Sequence, residues 1–307
     1  MRLGEVLSDG MRIAHATTTN VIARFFPRWY VSLTAQTGRG SEEETPQSIA
    51  NYFRQCFDDY LEVLEVPASE RGKFLEGKHV IEYGPGDVPA VAILMVAFGA
   101  ESVVCVDRFP LVRISLTNQR VLDLMLASLD APQRERAKQC FRVAGDYASG
   151  LNPERIRYQL HPKGLSGMKA WADLLISRAA LEHVNDLDAT LEDMRQAMKP
   201  QAWSVHQVDL KSHGLHRLNP LDFLTWPGWL WKLMYGHKGF PNRLRVDSYR
   251  RILHRMGMTI IGLRPTLLAS QEDIQAIRPH LCRSFRTVSD ADLSWLGFWL
   301  VFRHPQG

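Results

Sequence analysis

An α/β fold with a doubly wound, mostly parallel sheet is predicted by three observations. Short apolar segments of strand length alternate with helix-length segments from Lys78 to the C-terminus. The first of them runs into a glycine-rich turn in "VIEYGPGD" (Val80–Asp87). The second, "SVVCVD", ends in an acid, Asp107. Such alternation builds βαβ units with right-handed crossovers and a sheet covered by helices on both faces.

The elements can be justified in order. Residues 1–40 mix apolar and basic positions and give no clean period, with "RFFPRWY" as the conspicuous piece. Gly38 to Pro46, "GRGSEEETP", reads as a polar linker. Thr45 is an N-cap candidate and Pro46 suits a first helical position. Ile49, Tyr52, Phe53, Cys56, Phe57, Tyr60, Leu61 and Leu64 then recur along one helical face, a core-facing stripe. "HVIEY" is a strand, "VPAVAILMVAFGA" an apolar helix and "SVVCVD" a second buried strand. A helix is expected from Leu111 to Leu129, before a charged and less legible stretch. "RIRYQL" (Arg155–Leu160) and "ADLLIS" (Ala172–Ser177) supply the third and fourth strands. Leu187, Leu191, Met194 and Met198 mark the next helix, which Pro200 should stop. "WSVHQVD" is the fifth strand. Residues 211–245 break the rhythm with Trp and Pro and read as an insertion or lid. Val246 to Met256 is a helix ended by Gly257, and "MTIIGL" and "LGFWLVFR" complete the sheet. The expected division is a helical extension over 1–70 and a main domain over 71–307 that carries the lid.

Composition narrows the function. The 307 residues carry a net charge of only +4, with 45% hydrophobic and 23% charged residues, which fits an ordinary globular protein. Lys and Arg are scattered, so no nucleic-acid partner is expected. The four cysteines form no C-x-x-C pair, which favours a reducing compartment. Glu5 and Asp9 stand where a signal peptide would be apolar. The longest apolar run, Val88 to Ala100, is too short to span a bilayer. A cytoplasmic protein is expected.

The glycine turn should lie at the carboxyl ends of the strands, where ligands bind in open α/β sheets. Gly84 and Gly86 would let backbone approach a ligand, the following helix offers free N–H groups, and Asp107 could accept from both hydroxyls of a ribose. A dinucleotide site uses the same devices. Against one, Pro89 stands where the third glycine of G-x-G-x-x-G belongs. Glu82 would repel a diphosphate and welcome a cationic amino-acid moiety.

On these residues the chain resembles a class I S-adenosylmethionine-dependent methyltransferase. "VIEYGPGD" is similar to that family's first motif and "VVCVDR" to its second. "ADLLISRAALEHVNDLDATLEDMRQAMKP" resembles the segment that leads into the fifth strand. The resemblance spans Lys78 to His213. It implies a Rossmann-like methyltransferase sheet with an antiparallel final strand, and S-adenosyl-L-methionine as cofactor. It also implies a cofactor site drawn from Glu82, Tyr83, Gly84, Pro85, Gly86, Asp107, Arg108, Ser177 and Arg178. Glu82 would either brace the turn or attract the methionyl ammonium. Val88, and Gln201 with Ala202, depart from positions where the family often has glycine. Asp146 and His161 compete for the place beside the adenine.

Methyl transfer needs nucleophile, methyl and sulfur in line, and a hydroxyl nucleophile often needs a base. His213, oriented by Asp209, is the expected base, and His183 is a further catalytic candidate. A structural role is the competing reading of each. His206 and Asp209 point to opposite strand faces. A metal at Asp209 and His213 is conceivable by residue type, but none is expected. Trp226 and Trp229 could stack on a sugar or flat natural product, and Arg243 and Arg245 could grip its carboxylate or phosphate. The lid is similar to those of methyltransferases acting on bacterial glycans or secondary metabolites, which points to O-methylation of a sugar, glycolipid precursor or secondary metabolite. Beyond a small-molecule or glycan acceptor, the only partner suggested is a membrane surface, touched through the lid or "RFFPRWY". The other function classes are a non-catalytic S-adenosylmethionine-binding module and an NAD-dependent oxidoreductase. Nothing in the sequence indicates the oligomeric state.

Overall fold

Among the described residues there are nine strands: β1 (His79–Tyr83), β2 (Ser102–Asp107), β3 (Phe141–Val143), β4 (Asp146–Leu151), β5 (Ile156–Leu160), β6 (Ala172–Arg178), β7 (Met198–Asp209), β8 (Thr259–Leu268) and β9 (Trp295–Arg303). Seven of them form one sheet in the order β5-β2-β1-β6-β7-β9-β8. The first five are mutually parallel, and only β9 runs against its neighbours. This is the doubly wound sheet with an antiparallel final strand expected from the sequence. The structure is a computed structural model that describes residues 3–34, 37 and 45–304. Most of the expected linker, residues 38–44, therefore lies outside the described residues.

The helices are α1 (Leu3–Phe25), α2 (Pro27–Thr34), α3 (Pro46–Val63), α4 (Arg71–Leu75), α5 (Ala90–Ala97), α6 (Leu116–Ala127), α7 (Ala131–Lys138), α8 (Leu187–Ala197), α9 (Gly228–Tyr235), α10 (Val246–Arg255), α11 (Gln271–Ile277) and α12 (Asp290–Leu293). Thr45 caps α3 by accepting from the Ser48 amide, with Pro46 in the first turn. Every side chain of α5 is buried, which explains a segment apolar all round. It is sandwiched against α3, α6, α7 and the sheet face carrying Val80 and Val103. Helices α8 and α10 cover the opposite face through Leu191, Met194, Tyr249 and Leu253. Each such buried aliphatic side chain contributes roughly 1.5–3 kcal/mol.

Three local expectations change. The helix expected from Leu111 begins only at Leu116, where Ser115 caps it. The residues before it stay extended because their amides are used elsewhere: Leu111 donates to the Tyr158 hydroxyl at 3.2 Å and Arg113 to the Asp87 carbonyl at 3.1 Å. The helix before Pro200 already stops at Ala197, and Met198 opens β7. The less legible stretch after α6 holds α7 and the β3–β4 hairpin.

The insertion is built into the molecule by its arginines. Arg245 is 1% exposed. Its guanidinium donates to the carbonyls of Leu210 (3.1 Å), Leu293 (3.2 Å) and Trp295. Arg243 donates to the carbonyls of Phe223 (3.1 Å) and Trp226 (2.6 Å) and lies over the Trp231 ring. Burial lowers both pKa values to about 10. Neither side chain reaches out to grip an acceptor anion, because each is consumed by carbonyls left over at loop and helix ends. Arg245→Met should therefore strip three buried acceptors of their donor. We expect a loss of about 3–5 kcal/mol in urea unfolding. An unchanged unfolding midpoint would mean that the arginine is not structural.

Candidate cofactor and acceptor site

The sheet order changes direction on either side of β1, so the crevice of an open α/β sheet opens at the carboxyl ends of β1, β2 and β6. The glycine turn lies there. Gly84 and Gly86 have φ of +75° and +74°, the left-handed region that suits glycine. A Cβ on Gly84 would stand 2.9 Å from Cβ of Ala180, and one on Gly86 would stand 3.0 Å from the Thr37 carbonyl oxygen. Pro85 is buried between them. The Asp87 amide donates to the Thr37 carbonyl at 3.0 Å, so Thr37 lies against the turn.

Asp107 closes β2 and is 8% exposed. Its Oδ1 accepts from the amides of Arg108 (2.6 Å) and Phe109 (3.1 Å). Its Oδ2 is buried without a hydrogen-bond partner. Burial raises its pKa to about 6. A buried carboxylate oxygen that is left bare is costly, and a ribose hydroxyl would satisfy it. The residues present thus fit the nucleoside end of S-adenosylmethionine, with the glycine turn free of side chains beside it. His161 is the neighbour of this strand end: its amide donates to the Asp107 carbonyl at 2.9 Å. Asp146 lies on the exposed hairpin and accepts from the Ala148 amide at 2.9 Å.

The other expected cofactor residues divide. Glu82 is buried, with the Cys105 thiol 3.7 Å from Oε2 and the Ala92 amide also bonding to it. Desolvation raises it to about 7. It braces the turn against α5. The Tyr83 side chain turns away, and its hydroxyl donates to Asp193 at 2.8 Å. Ser177 bonds to Nδ1 of the fully buried His206 at 2.7 Å. Arg178 points to α3, pairing with Asp59 at 2.6 Å and lying over Tyr52 and Trp299. Alternation along the strand thus turns these three side chains to partners in the flanking layers or the next strand, and it is their backbone that stands at the strand ends. Arg108 donates to the carbonyls of His183 (2.8 Å) and His237 (3.4 Å), tying β2 to the histidine turn and the lid.

Three polar side chains gather after β6 and β7. The rings of His183 and His213 have centroids 4.9 Å apart. Nε2 of His183 is 3.9 Å from Oε1 of Glu182. Glu182 is 1% exposed, and both its carboxylate oxygens are buried without a hydrogen-bond partner. Burial, then His213 and Arg108, push His183 down to about 3, and desolvation by the surrounding chain lowers His213, although its side chain is exposed. Ligand atoms of Glu182, His183 and His213 all lie within 4.8 Å of one another, a donor set compatible with a divalent ion. Asp209 is not part of it. Its carboxylate takes the Lys211 amide (2.9 Å) and ammonium (3.0 Å), while Asp209 acts on His213 through its charge and through a backbone hydrogen bond. Glu182, in "LEHV", was visible in the sequence but overshadowed by its histidine neighbour.

Leu215, two residues after His213, and Phe240, whose backbone bonds to His183, enter the wall of a cavity of about 360 Å³ that the cluster's own side chains do not line. Arg12, His15, Thr19, Tyr30, Tyr235 and Lys238 also line it. Trp226 and Trp229 do not. Trp226 is half-buried against the insertion's own apolar cluster, and Trp229 is 71% exposed. The aromatic wall comes instead from Tyr30, Tyr235 and Phe240, of which the first belongs to a segment that showed no period.

No curated protein sequence matches the chain. Among solved structures, it is similar to an S-adenosylmethionine-dependent methyltransferase from Mesorhizobium loti, with 16% identity and TM-score 0.41 over 75% of this chain and 92% of that one. It is also similar to Haemonchus contortus phosphoethanolamine N-methyltransferase 2 in complex with S-adenosyl-L-methionine, with 15% identity and TM-score 0.43 over 85% of this chain and 58% of that one. A family model described as a methyltransferase domain matches residues 49–263. That span is well over half of the chain and takes in the glycine turn, Asp107 and the Glu182–His183–His213 cluster, so the protein belongs to this family of methyltransferases and uses S-adenosyl-L-methionine as its cofactor.

Proposed function

We propose that the protein O-methylates a hydroxyl of an anionic sugar, glycolipid precursor or secondary metabolite, and that the helices within residues 1–70 and the insertion over 211–245 form the walls that select it. One observation carries the acceptor class: the cavity that Leu215 and Phe240 enter joins aromatic walls to cations. Lys238 donates to the Thr19 hydroxyl at 2.8 Å and stands 4.7 Å and 5.0 Å from the ring centroids of Tyr235 and Phe240. Among the described residues no carboxylate pairs with it, and burial lowers its pKa to about 8. An acceptor carboxylate or phosphate would restore the missing charge partner, and its ring would lie against the aromatic wall.

The cofactor supplies an electrophilic methyl on a sulfonium. In this proposal His213 takes the proton of the attacking hydroxyl, and His183 and Glu182 support the imidazolium that forms. The reaction disperses a positive charge at the sulfonium, so a water-poor cavity favours it. Glu82 and the glycine turn would hold the amino-acid end of the cofactor, and Asp107 its ribose.

The direct test is methyl transfer from labelled S-adenosylmethionine to a panel of uronic acids, sugar phosphates, neutral sugars and phenols. Transfer confined to neutral phenols would overturn the acceptor class. With an active acceptor, His213→Ala should lower kcat by about 10²–10³-fold and leave cofactor affinity unchanged. The acid limb of the wild-type rate should fall below pH 6.5, because desolvation by the surrounding chain keeps His213 unprotonated to lower pH. Unchanged turnover in the variant would remove it from the mechanism.

Asp107→Asn should have two opposite effects. Calorimetry should show much weaker cofactor binding, because Oδ2 is replaced by a donor. The cofactor-free protein should become more stable. Since folding raises this carboxyl from 3.8 to about 6, the buried carboxylate costs nothing below about pH 4 and its full amount above about pH 6. The gain in unfolding free energy should therefore appear across that window and reach at most about 3 kcal/mol. A variant with intact cofactor affinity would contradict the ribose assignment.

A further inference from the structure

The helices that roof the cavity carry large apolar side chains on their outer side. Phe25 closes α1, Phe26 follows it, Trp29 and Leu33 stand one turn apart on α2, and Trp229 and Leu233 stand one turn apart on α9. Their exposures run from 49% to 71%. The three helices are neighbours, since α1 packs on both α2 and α9. Asn20 of α1 donates to the Leu233 carbonyl at 2.9 Å and accepts from the His237 amide at 2.7 Å. Phe26 and Trp29 meet edge to face with centroids 6.4 Å apart. A contiguous exposed apolar surface of this kind marks a contact site rather than ordinary solvent-facing helix.

Charge says what the contact is with. No Asp or Glu occurs from Gly10 to Thr34 or from Trp226 to Val246. Over the same stretches Arg24, Arg28 and Lys232 are exposed among the apolar side chains, in a protein whose net charge is only +4. A second copy would set cations against cations, whereas an anionic lipid surface complements both the charge and the aromatic side chains. Thr19, Tyr30, Thr34 and Tyr235, on these same helices, line the cavity.

We propose that this face docks on an anionic membrane surface, with Phe25, Phe26, Trp29 and Trp229 among the headgroups and Arg24, Arg28 and Lys232 on lipid phosphates. If the cavity takes the acceptor, as proposed above, a lipid-borne acceptor reaches it from the bilayer side. Docking itself can be read without any acceptor, so it stands or falls apart from turnover.

The experiment is co-sedimentation of the full chain with vesicles of phosphatidylcholine, alone or mixed with phosphatidylglycerol. It is repeated on Phe25→Glu/Trp29→Glu and on Arg24→Glu/Arg28→Glu. Cofactor calorimetry on each variant confirms that it is folded. The expected result is binding to the mixed vesicles and about tenfold weaker binding to phosphatidylcholine alone. Each double variant should lose at least about tenfold with its cofactor affinity intact. Absence of binding to either vesicle, or equal binding by folded variants, would overturn the proposal. So would a lipid-free dimer that the variants dissociate, since it would assign the face to a second copy.

Discussion

Among the carboxylates buried at or just beyond the carboxyl ends of neighbouring strands are Glu82 on β1, Asp107 on β2 and Glu182 after β6. Desolvation raises the pKa of each. Water would relieve all three, so the fold has to keep them dry by force of packing elsewhere. The two apolar layers on the sheet do this, with α5 buried on every side and α8 and α10 on the other face. The order β5-β2-β1-β6-β7 makes these strand ends adjacent, and the site follows from that adjacency. A carboxylate held in a poorly solvated place gains more from a hydrogen-bonding ligand than one already in water. Asp107 Oδ2, bare and buried, is the clearest instance.

The walls around these ends are held by backbone carbonyls meeting cations. Arg108 bonds the His183 and His237 carbonyls, Arg243 those of Phe223 and Trp226, and Arg245 those of Leu210, Leu293 and Trp295. Irregular loops leave acceptors that no helix or sheet can use, and a guanidinium supplies several donors in one plane. An insertion as aperiodic as residues 211–245 can therefore hold a fixed position over the sheet without regular secondary structure of its own beyond α9 and a short turn.

The parts of this design that were legible in the sequence are those with a period or a steric demand. The strand, glycine turn, apolar helix and second strand could be placed because two glycines, an apolar run and a terminal acid each have one easy structural meaning. Thr45 and Pro46 likewise announced the start of α3. The β3–β4 hairpin was not legible: one strand is three residues long, and each strand has only one buried position, so no alternating or continuous apolar pattern forms. Arg243 and Arg245 were misread because charge in a sequence suggests surface, and nothing local reveals that distant carbonyls will need donors. Nearness in sequence links Asp209 to His213, and the fold keeps that link through charge and a backbone hydrogen bond, while Lys211 also takes the carboxylate, which no sequence pattern announces. Glu182 was passed over for a like reason. Its two bare oxygens become apparent only once the chain has folded around them.

Backbone conformation at the same strand ends points the same way. Ala179 and His213 adopt φ of +49° and +50°, where a side chain costs of order 1–3 kcal/mol. Both flank the carboxylate and histidine cluster, one entering the turn after β6 and the other following β7. The Ala180 methyl packs where a Gly84 side chain would be, so the turn after β6 fits only because the turn after β1 carries glycine. Relaxing Ala179 would shift Ala180 against the glycine turn, and relaxing His213 would separate the paired rings. The strain is thus held in place by contacts between the loop of one βα unit and the loop of the next. It is located where cofactor turn, base candidates and cavity wall must keep a common register.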